Sequence, residues 1–120
     1  MSATPNLASQ LADAIGAWGD RRTGSGWITS SQGAVYVRKG VHLIDGRLVT
    51  TLDLASIDMV APGQGHFTRF LEQAKDLNPW DAIYIENVLN PRFAEHLRRS
   101  GWSEIPNQDA PCFYLLRQSY

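Results

Sequence analysis

Among its 120 residues the chain has one cysteine, Cys112. A lone thiol closes no intrachain disulfide and builds no cysteine-based zinc site, and the pattern fits a reducing, cytoplasmic compartment. Excess charge is also missing. Eleven Lys and Arg stand against twelve Asp and Glu, a formal net charge of −1. Such a balance sets up no strong field to draw nucleic acid or an anionic membrane surface. No apolar run approaches the length needed to span a bilayer. The opening MSATPNLASQ lacks a basic start followed by an apolar stretch, so no secretory signal is expected. The three histidines, His42, His66 and His96, are scattered and give no metal-ligand spacing. There is no internal repeat.

Apolar residues make up 43% and charged residues 19%, the ordinary globular range. The length suits one domain, residues 1–120, around one hydrophobic core.

Thr4 and Pro5 read as a helix start, a capping hydroxyl followed by proline at the first helical position. Leu7, Leu11, Ile15 and Trp18 follow at helical spacing, and Gly19 ends the run. Residues 19–33 read as loop, with Trp27 to Thr29 as a short strand. Ala34 to Arg38 and Val41 to Ile44 are strand-like, with Lys39-Gly40 as a bulge or bend between them. Asp45-Gly46 is the best hairpin signal. The next strand, Arg47 to Val60, is long enough to expect a bulge; on an unbroken pleat Asp53 and Asp58 face opposite ways. His42, within a strand, is far in sequence from any partner.

Residues 52–77 are the centre of the chain: a strand, the turn APGQGH, and a helix whose Phe67, Phe70, Leu71, Ala74 and Leu77 keep helical spacing. A helix N-terminus opening on small residues offers free amides and a positive dipole end, which suits a phosphate. Asn78-Pro79 ends this helix, and Ala82 to Glu86 reads as a buried strand. Asn90 caps and Pro91 starts a further helix with Phe93, Ala94 and Leu97 inward; Gly101 stops it and Trp102 packs after it. A polar loop, SEIPNQDA, leads to a last strand, Cys112 to Arg117. Strand–helix–strand in the middle requires a parallel pair, so the fold class is α/β (α+β) with a mixed sheet. Cys112 reads as a small core residue, and Trp27 and Trp80 as loop residues able to line a site.

Leu54 to Phe70 resembles the acyl-CoA-binding motif of the GNAT superfamily of N-acetyltransferases: a strand, an Arg/Gln-x-x-Gly-x-Gly/Ala turn, then a helix. Asn90 to Trp102, NPRFAEHLRRSGW, is similar to that superfamily's later helix, which starts Asn-Pro-Arg and ends Gly-Phe; the spacing agrees without a gap. Together the motifs cover roughly the C-terminal half of the chain.

The resemblance implies a GNAT-like fold in which two parallel strands splay and acetyl-CoA enters between them. It assigns the pantetheine-pairing backbone to Ile57 and Met59, and the pyrophosphate to the amides of Gly63, Gln64, Gly65, His66, Phe67 and Thr68. Asn90 corresponds to a residue that contacts the cofactor's arm. The implied function is an acetyl-CoA-dependent N-acetyltransferase whose amine acceptor attacks the thioester directly. Acetyl-CoA and an unidentified amine are the implied partners, and a homodimer is left open.

Four departures bear on this. Pro62 stands where Arg or Gln is usual and removes an N–H. Phe67 stands where Gly or Ala is usual, which predicts crowding at the pyrophosphate. Leu97 replaces a tyrosine that protonates the leaving thiolate, so the acid would be His96, Tyr84, Tyr114 or water. The chain is short for the superfamily, so an N-terminal element is expected to be missing. Among carboxylates, Asp53 and Asp58 lie nearest the motif; Asp58, just before the turn, and Glu86, ending its strand, are the candidate bases. Asp58 would equally serve to accept amide hydrogen bonds from the turn. The alternative function is a non-catalytic CoA-binding or protein-interaction module on the same fold. A third is a small α/β protein sharing only the element order.

Overall fold

The computed structural model describes residues 6–59, 65–105 and 110–120. Helix α1 (Leu7–Trp18) is capped by Asn6, whose Oδ1 accepts the Ser9 N–H at 2.7 Å. Asn6 is extended, so the helix begins after it. This corrects the expected start at Thr4-Pro5, which lie outside the described residues. Leu7, Leu11 and Trp18 are buried, the inward stripe that the spacing predicts.

Strands β1 (Gly24–Ser30), β2 (Gly33–Ile44) and β3 (Arg47–Met59) form an antiparallel meander. Helix α2 (His66–Leu77) then leads to β4 (Ala82–Ile85), which pairs parallel with β3. Helix α3 (Pro91–Arg99) leads to β5 (Ser103–Ile105) and β6 (Cys112–Leu116). The six strands lie in the order β1-β2-β3-β4-β6-β5. The expected mixed sheet is present, with three differences. Lys39-Gly40 is continuous strand, because both residues pair with β3. The start of the polar loop forms β5 against β6. Arg117 leaves β6 for a short 3-10 turn, Arg117–Ser119.

The bulge lies in β3. Val37 pairs with Leu54 and Tyr36 with Ser56, leaving Ala55 as the extra residue. It reverses the alternation beyond it. Asp53 sits opposite Arg38 and Asp58 opposite Ala34, so both aspartates lie on one face.

The two faces of the sheet differ. Val35, Val37, Leu52, Leu54, Ile83, Ile85, Phe113 and Leu115 form one face and are buried against all three helices. Phe67, Phe70, Leu71 and Ala74 of α2 and Ala94 and Leu97 of α3 complete that core; each large side chain so buried contributes about 1.5–3 kcal/mol. On the other face Ile44, Val49 and Ala82 pack with Tyr114 and Leu116, a cluster drawn from strands alone.

The ends of α2 and α3 are tied down by side chains and turns. Buried Asn78 donates from Nδ2 to Ala82 O at 3.0 Å and accepts the Trp80 N–H at 3.0 Å, which joins the end of α2 to the start of β4. Asn90 caps α3, accepting the amides of Arg92 at 2.9 Å and Phe93 at 3.4 Å. Past α3, Trp102 N–H reaches Leu97 O at 3.0 Å and Gly101 N–H reaches Arg98 O at 3.3 Å, the paired bonds of a Schellman end. Among the described residues no helix is long and apolar enough to cross a membrane.

Candidate active site

Strands β3 and β4 pair only from Thr51/Ala82 to Leu54/Ile85. The last bond between them runs from Glu86 N–H to Leu54 O at 3.1 Å. Beyond it the strands part. β3 continues with β2 to Met59, whereas Asn87 takes a φ of +50° and Val88 donates its N–H to Pro111 O, beside β6. The bulge at Ala55 is the physical cause, because an extra residue bends a strand and increases its twist.

The bulge also decides which backbone groups line the opening. Before it, the carbonyls of Thr50 and Leu54 face β4. One added residue changes the alternation, so beyond it Ile57 and Met59 turn their N–H and C=O groups toward the gap. Their side chains pack half-buried against the core.

Helix α2 begins just past the end of β3. Gly65 is its N-cap with φ +77°, a left-handed conformation that glycine adopts without cost. The first bond into the cap is Arg69 N–H to Gly65 O at 3.0 Å. The amides of His66, Phe67 and Thr68 therefore have no acceptor inside the helix. Arg69 Nη2 donates to His66 Nδ1 at 2.8 Å, which holds a guanidinium over the first turn. Dipole and cation together make this end of α2 positive. The expected crowding by Phe67 is corrected: its ring is buried, packed edge-on against Phe93 at 5.1 Å. Pro62, Gly63 and Gln64 lie outside the described residues.

On the helix-free face, a charged network spans three strands at the point where β3 and β4 part. Asp53 of β3 is fully buried. It accepts from Thr51 Oγ1 at 2.5 Å and from Arg38 Nε at 2.9 Å, and lies 3.0 Å from His42 Nε2. Arg38 Nη2 extends to Glu86 Oε1. His42 is thus not isolated, as its place in the sequence implies, and its ring also stacks on Tyr84 at 3.7 Å. The Tyr84 phenol pKa is pushed well above the usual 10, first by burial, then by the neighbouring Cys112 thiol and by the charge of Asp53. The phenol therefore stays protonated at neutral pH. His42, Asp53 and Glu86 bring three potential metal-ligand atoms within 4.8 Å of one another. Arg38 pairs with both carboxylates, so a guanidinium already meets that charge.

The three candidate catalytic residues are not brought together. Glu86 sits at the opening, half-buried, with Arg38 on one carboxylate oxygen. Asp58 is exposed on the same sheet face, at the far end of β3. His96 is exposed on α3, beside a shallow depression lined by Pro91, Arg92, Glu95 and Arg99. No hydrogen bond or ion pair joins any two of them. Leu97 is fully buried in the core. Asn90 uses its Oδ1 as a helix cap. Trp80 stacks on Trp18 at 6.2 Å, away from solvent on one side, whereas Trp27 is in β1 and exposed.

No protein-family model matches the chain, and no curated protein matches it in sequence. Solved structures do resemble it. A tyrosine-to-phenylalanine mutant of the toxin AtaT, bound to the C-terminus of the antitoxin AtaR and acetyl-CoA, superposes with a TM-score of 0.57 at 10% identity, covering 73% of this chain and 60% of that one. The same mutant with AtaR alone gives 0.58 at the same identity and coverage. A KacTA–DNA complex gives 0.50 at 10% identity, over 95% of this chain and 84% of the other. The chain thus spans 60% of the length of the AtaT chains it matches. Its mixed six-stranded sheet and three helices form a GNAT-like fold.

Proposed function

We propose that this chain binds acetyl-CoA in the opening between β3 and β4 and transfers the acetyl group to an amine. The observation that carries the reading is the backbone edge of Ile57 and Met59, which pairs with no described strand on the β4 side, together with the positive N-terminus of α2, the next described element of the chain. An unpaired strand edge can hold an amide-bearing chain as it would hold another strand. Free helix amides with a nearby guanidinium suit a pyrophosphate. The described residues fit the cofactor on both counts. A fold neighbour crystallised with acetyl-CoA adds support at the level of fold.

When bound, acetyl-CoA supplies a thioester: the amine nitrogen forms the new C–N bond, the C–S bond breaks, and one proton leaves nitrogen while one is taken up by sulfur. Glu86 is the base in this reading. Arg38 fixes one of its oxygens, and the other has no hydrogen bond to a described residue and is available for the amine proton. Asp58, on the same face, is the second choice. His96, on the outer side of α3, takes no part. Leu97 has no proton to give, and Tyr84 is buried beneath the His42 ring, which leaves half-buried Tyr114 or water at the open sheet face as the acid.

Calorimetry with acetyl-CoA tests the binding: one saturable site is expected, and no heat at about millimolar cofactor removes the reading. The second reading is a CoA-binding module without chemistry. It is favoured by the Arg38 guanidinium, which already occupies one oxygen of the Glu86 carboxylate, and by Leu97 in place of an acid. Thiol release with a panel of amines separates the two readings.

A further inference from the structure

We propose that the chain forms a two-fold dimer by joining the open edge of β2 to the same edge of a second copy.

The two hairpin turns set which backbone groups line that edge. Asp45 and Gly46 take φ of +51° and +80°, a two-residue turn that makes Ile44 and Arg47 a hydrogen-bonded pair. Backbone groups alternate from there along β2, so Ile44 and His42 face β3 while Leu43 and Val41 face away. Counting from the other turn agrees: Gly33 faces β1, and by the same alternation Lys39, Val41 and Leu43 face that side. β1 begins at Gly24, opposite Lys39, and no described residue bonds the backbone of Val41 or Leu43 beyond it.

The side chains leave the edge equally bare. Val41 and Leu43 lie on the helix side of the sheet with Leu48 of β3, in line with Val37 and Leu52. They are 56%, 68% and 75% exposed in that order, Val41, Leu43, Leu48. Sheets guard an open edge with lysine, proline or a bulge. From Val41 to Ile44, β2 carries none of these.

A second copy fits because the edge complements itself. With the copies antiparallel and Leu43 against Leu43, these two residues exchange backbone bonds, and Asp45 of each copy stands opposite Val41 of the other. Val41, Leu43 and Leu48 of both copies then make one apolar strip on one face of a continuous sheet. The hairpin tip stops short of Lys39, so β1 keeps its place. Charges meet as well. Lys39 Nζ donates to Arg21 O at 2.8 Å, which holds Arg21 and Arg22 at that end of the edge. Both arginines are exposed and, like Asp45, make no ion pair with a described residue. Asp45 of one copy therefore approaches Arg21, Arg22 and Lys39 of the other, where Asp20 is the one nearby acid in sequence. Each copy offers this edge once, so the assembly closes at two. The opening between β3 and β4 is at the other end of β3 and stays clear.

Sedimentation velocity of the full chain, from about 5 µM to about 500 µM, tests this. The contact is small beside the roughly 1,200–2,000 Å² of a standard interface, so half association is expected on the order of tens of micromolar. Leu43→Lys sets like charges opposite one another at the two-fold axis and should weaken association by about tenfold or more, as should Leu43→Glu. An equal mixture of the two variants should associate again. The position is exposed, so both variants should keep a urea midpoint close to that of wild type. Leu89→Lys, at a residue 78% exposed elsewhere, should dimerise as wild type does. A mixture no more associated than its components, Leu43→Lys associating as tightly as wild type, or loss of the dimer in Leu89→Lys would each overturn the proposal. Wild type that stays monomeric throughout would overturn it too and leave the edge to a strand of another protein.

Discussion

A Cβ on Gly40 would stand 2.3 Å from Oδ2 of Asp53, closer than side-chain atoms come. The carboxylate cannot retreat, because Thr51, His42 and Arg38 hold it from several sides. Gly40 is therefore required by the charge network beside it. Gly40→Ala should lower stability by about 1–3 kcal/mol, the usual cost of overpacking a close-fitted site. A drop in the urea midpoint with an unchanged slope is the expected signature; an unchanged midpoint would show that Asp53 can move.

Arg38 joins three strands, and its loss has a calculable sign. Arg38→Met leaves Asp53 buried without its guanidinium and places two carboxylates near one another. Removing one partner of a fully buried pair costs about 3–5 kcal/mol. The Arg38 side chain is 37% exposed, so solvent screening reduces this to about 1–3 kcal/mol. A double-mutant cycle with Asp53→Asn should return a coupling of roughly 1–2 kcal/mol, and a value near zero would reduce the contact to a surface pair.

Much of this network was within reach of the sequence. Asp45-Gly46 forms the hairpin turn that its dipeptide predicts, and counting rungs back from it brings Arg38 opposite Asp53. What stopped the count was Lys39-Gly40, which reads as a break but is continuous strand paired with β3; the glycine is there because Asp53 fills the space over it. The helices were legible because each carries its own stripe and stop: Asn90 and Gly101 bound α3 in sequence and in space. The bulge was foreseeable from length but not in position, since nothing at Ala55 marks it. That one residue sets the faces of Asp58, Ile57 and Met59, so the site's geometry rested on a feature without a local signal. Glu86 meets Arg38 only through the parallel pairing of β3 and β4, and no local pattern records that.

Tyr84 gives a pH dependence. Its phenol pKa is raised in the folded chain, chiefly by burial, so the folded state holds this proton more tightly than the unfolded one. The associated stability is complete below the unfolded value of about 10 and is lost as pH rises above it. Tyr120 is raised too, again chiefly by burial, and adds to the same alkaline loss. The urea midpoint should fall between about pH 9 and about pH 11, and fall less in Tyr84→Phe. Identical slopes in the two proteins would mean that Tyr84 ionises freely in the fold.

Asn90 separates a cap from a cofactor contact. Asn90→Ala removes the acceptor for two α3 amides and should cost about 1 kcal/mol. Asn90→Asp keeps the acceptor and puts a negative charge at a helix N-terminus, so thermal stability should be retained. If Asn90 also donates its amide to the cofactor's arm, Asn90→Asp will weaken acetyl-CoA binding by about tenfold at unchanged stability. Equal affinity in wild type and Asn90→Asp would make the residue a cap alone.

Arg69 tests the phosphate end of the proposed site. It is exposed and bonded to His66 in the first turn of α2, so the fold does not depend on it. Arg69→Ala should leave the urea midpoint within about 0.5 kcal/mol of wild type. Its loss removes one charge next to the helix amides, worth about 1 kcal/mol, so acetyl-CoA should bind roughly fivefold more weakly. The effect should be electrostatic: raising salt weakens wild type more than Arg69→Ala, and the two affinities converge. Calorimetry at low and high salt measures both affinities. A variant that binds acetyl-CoA as tightly as wild type at low salt would place the pyrophosphate away from the N-terminus of α2.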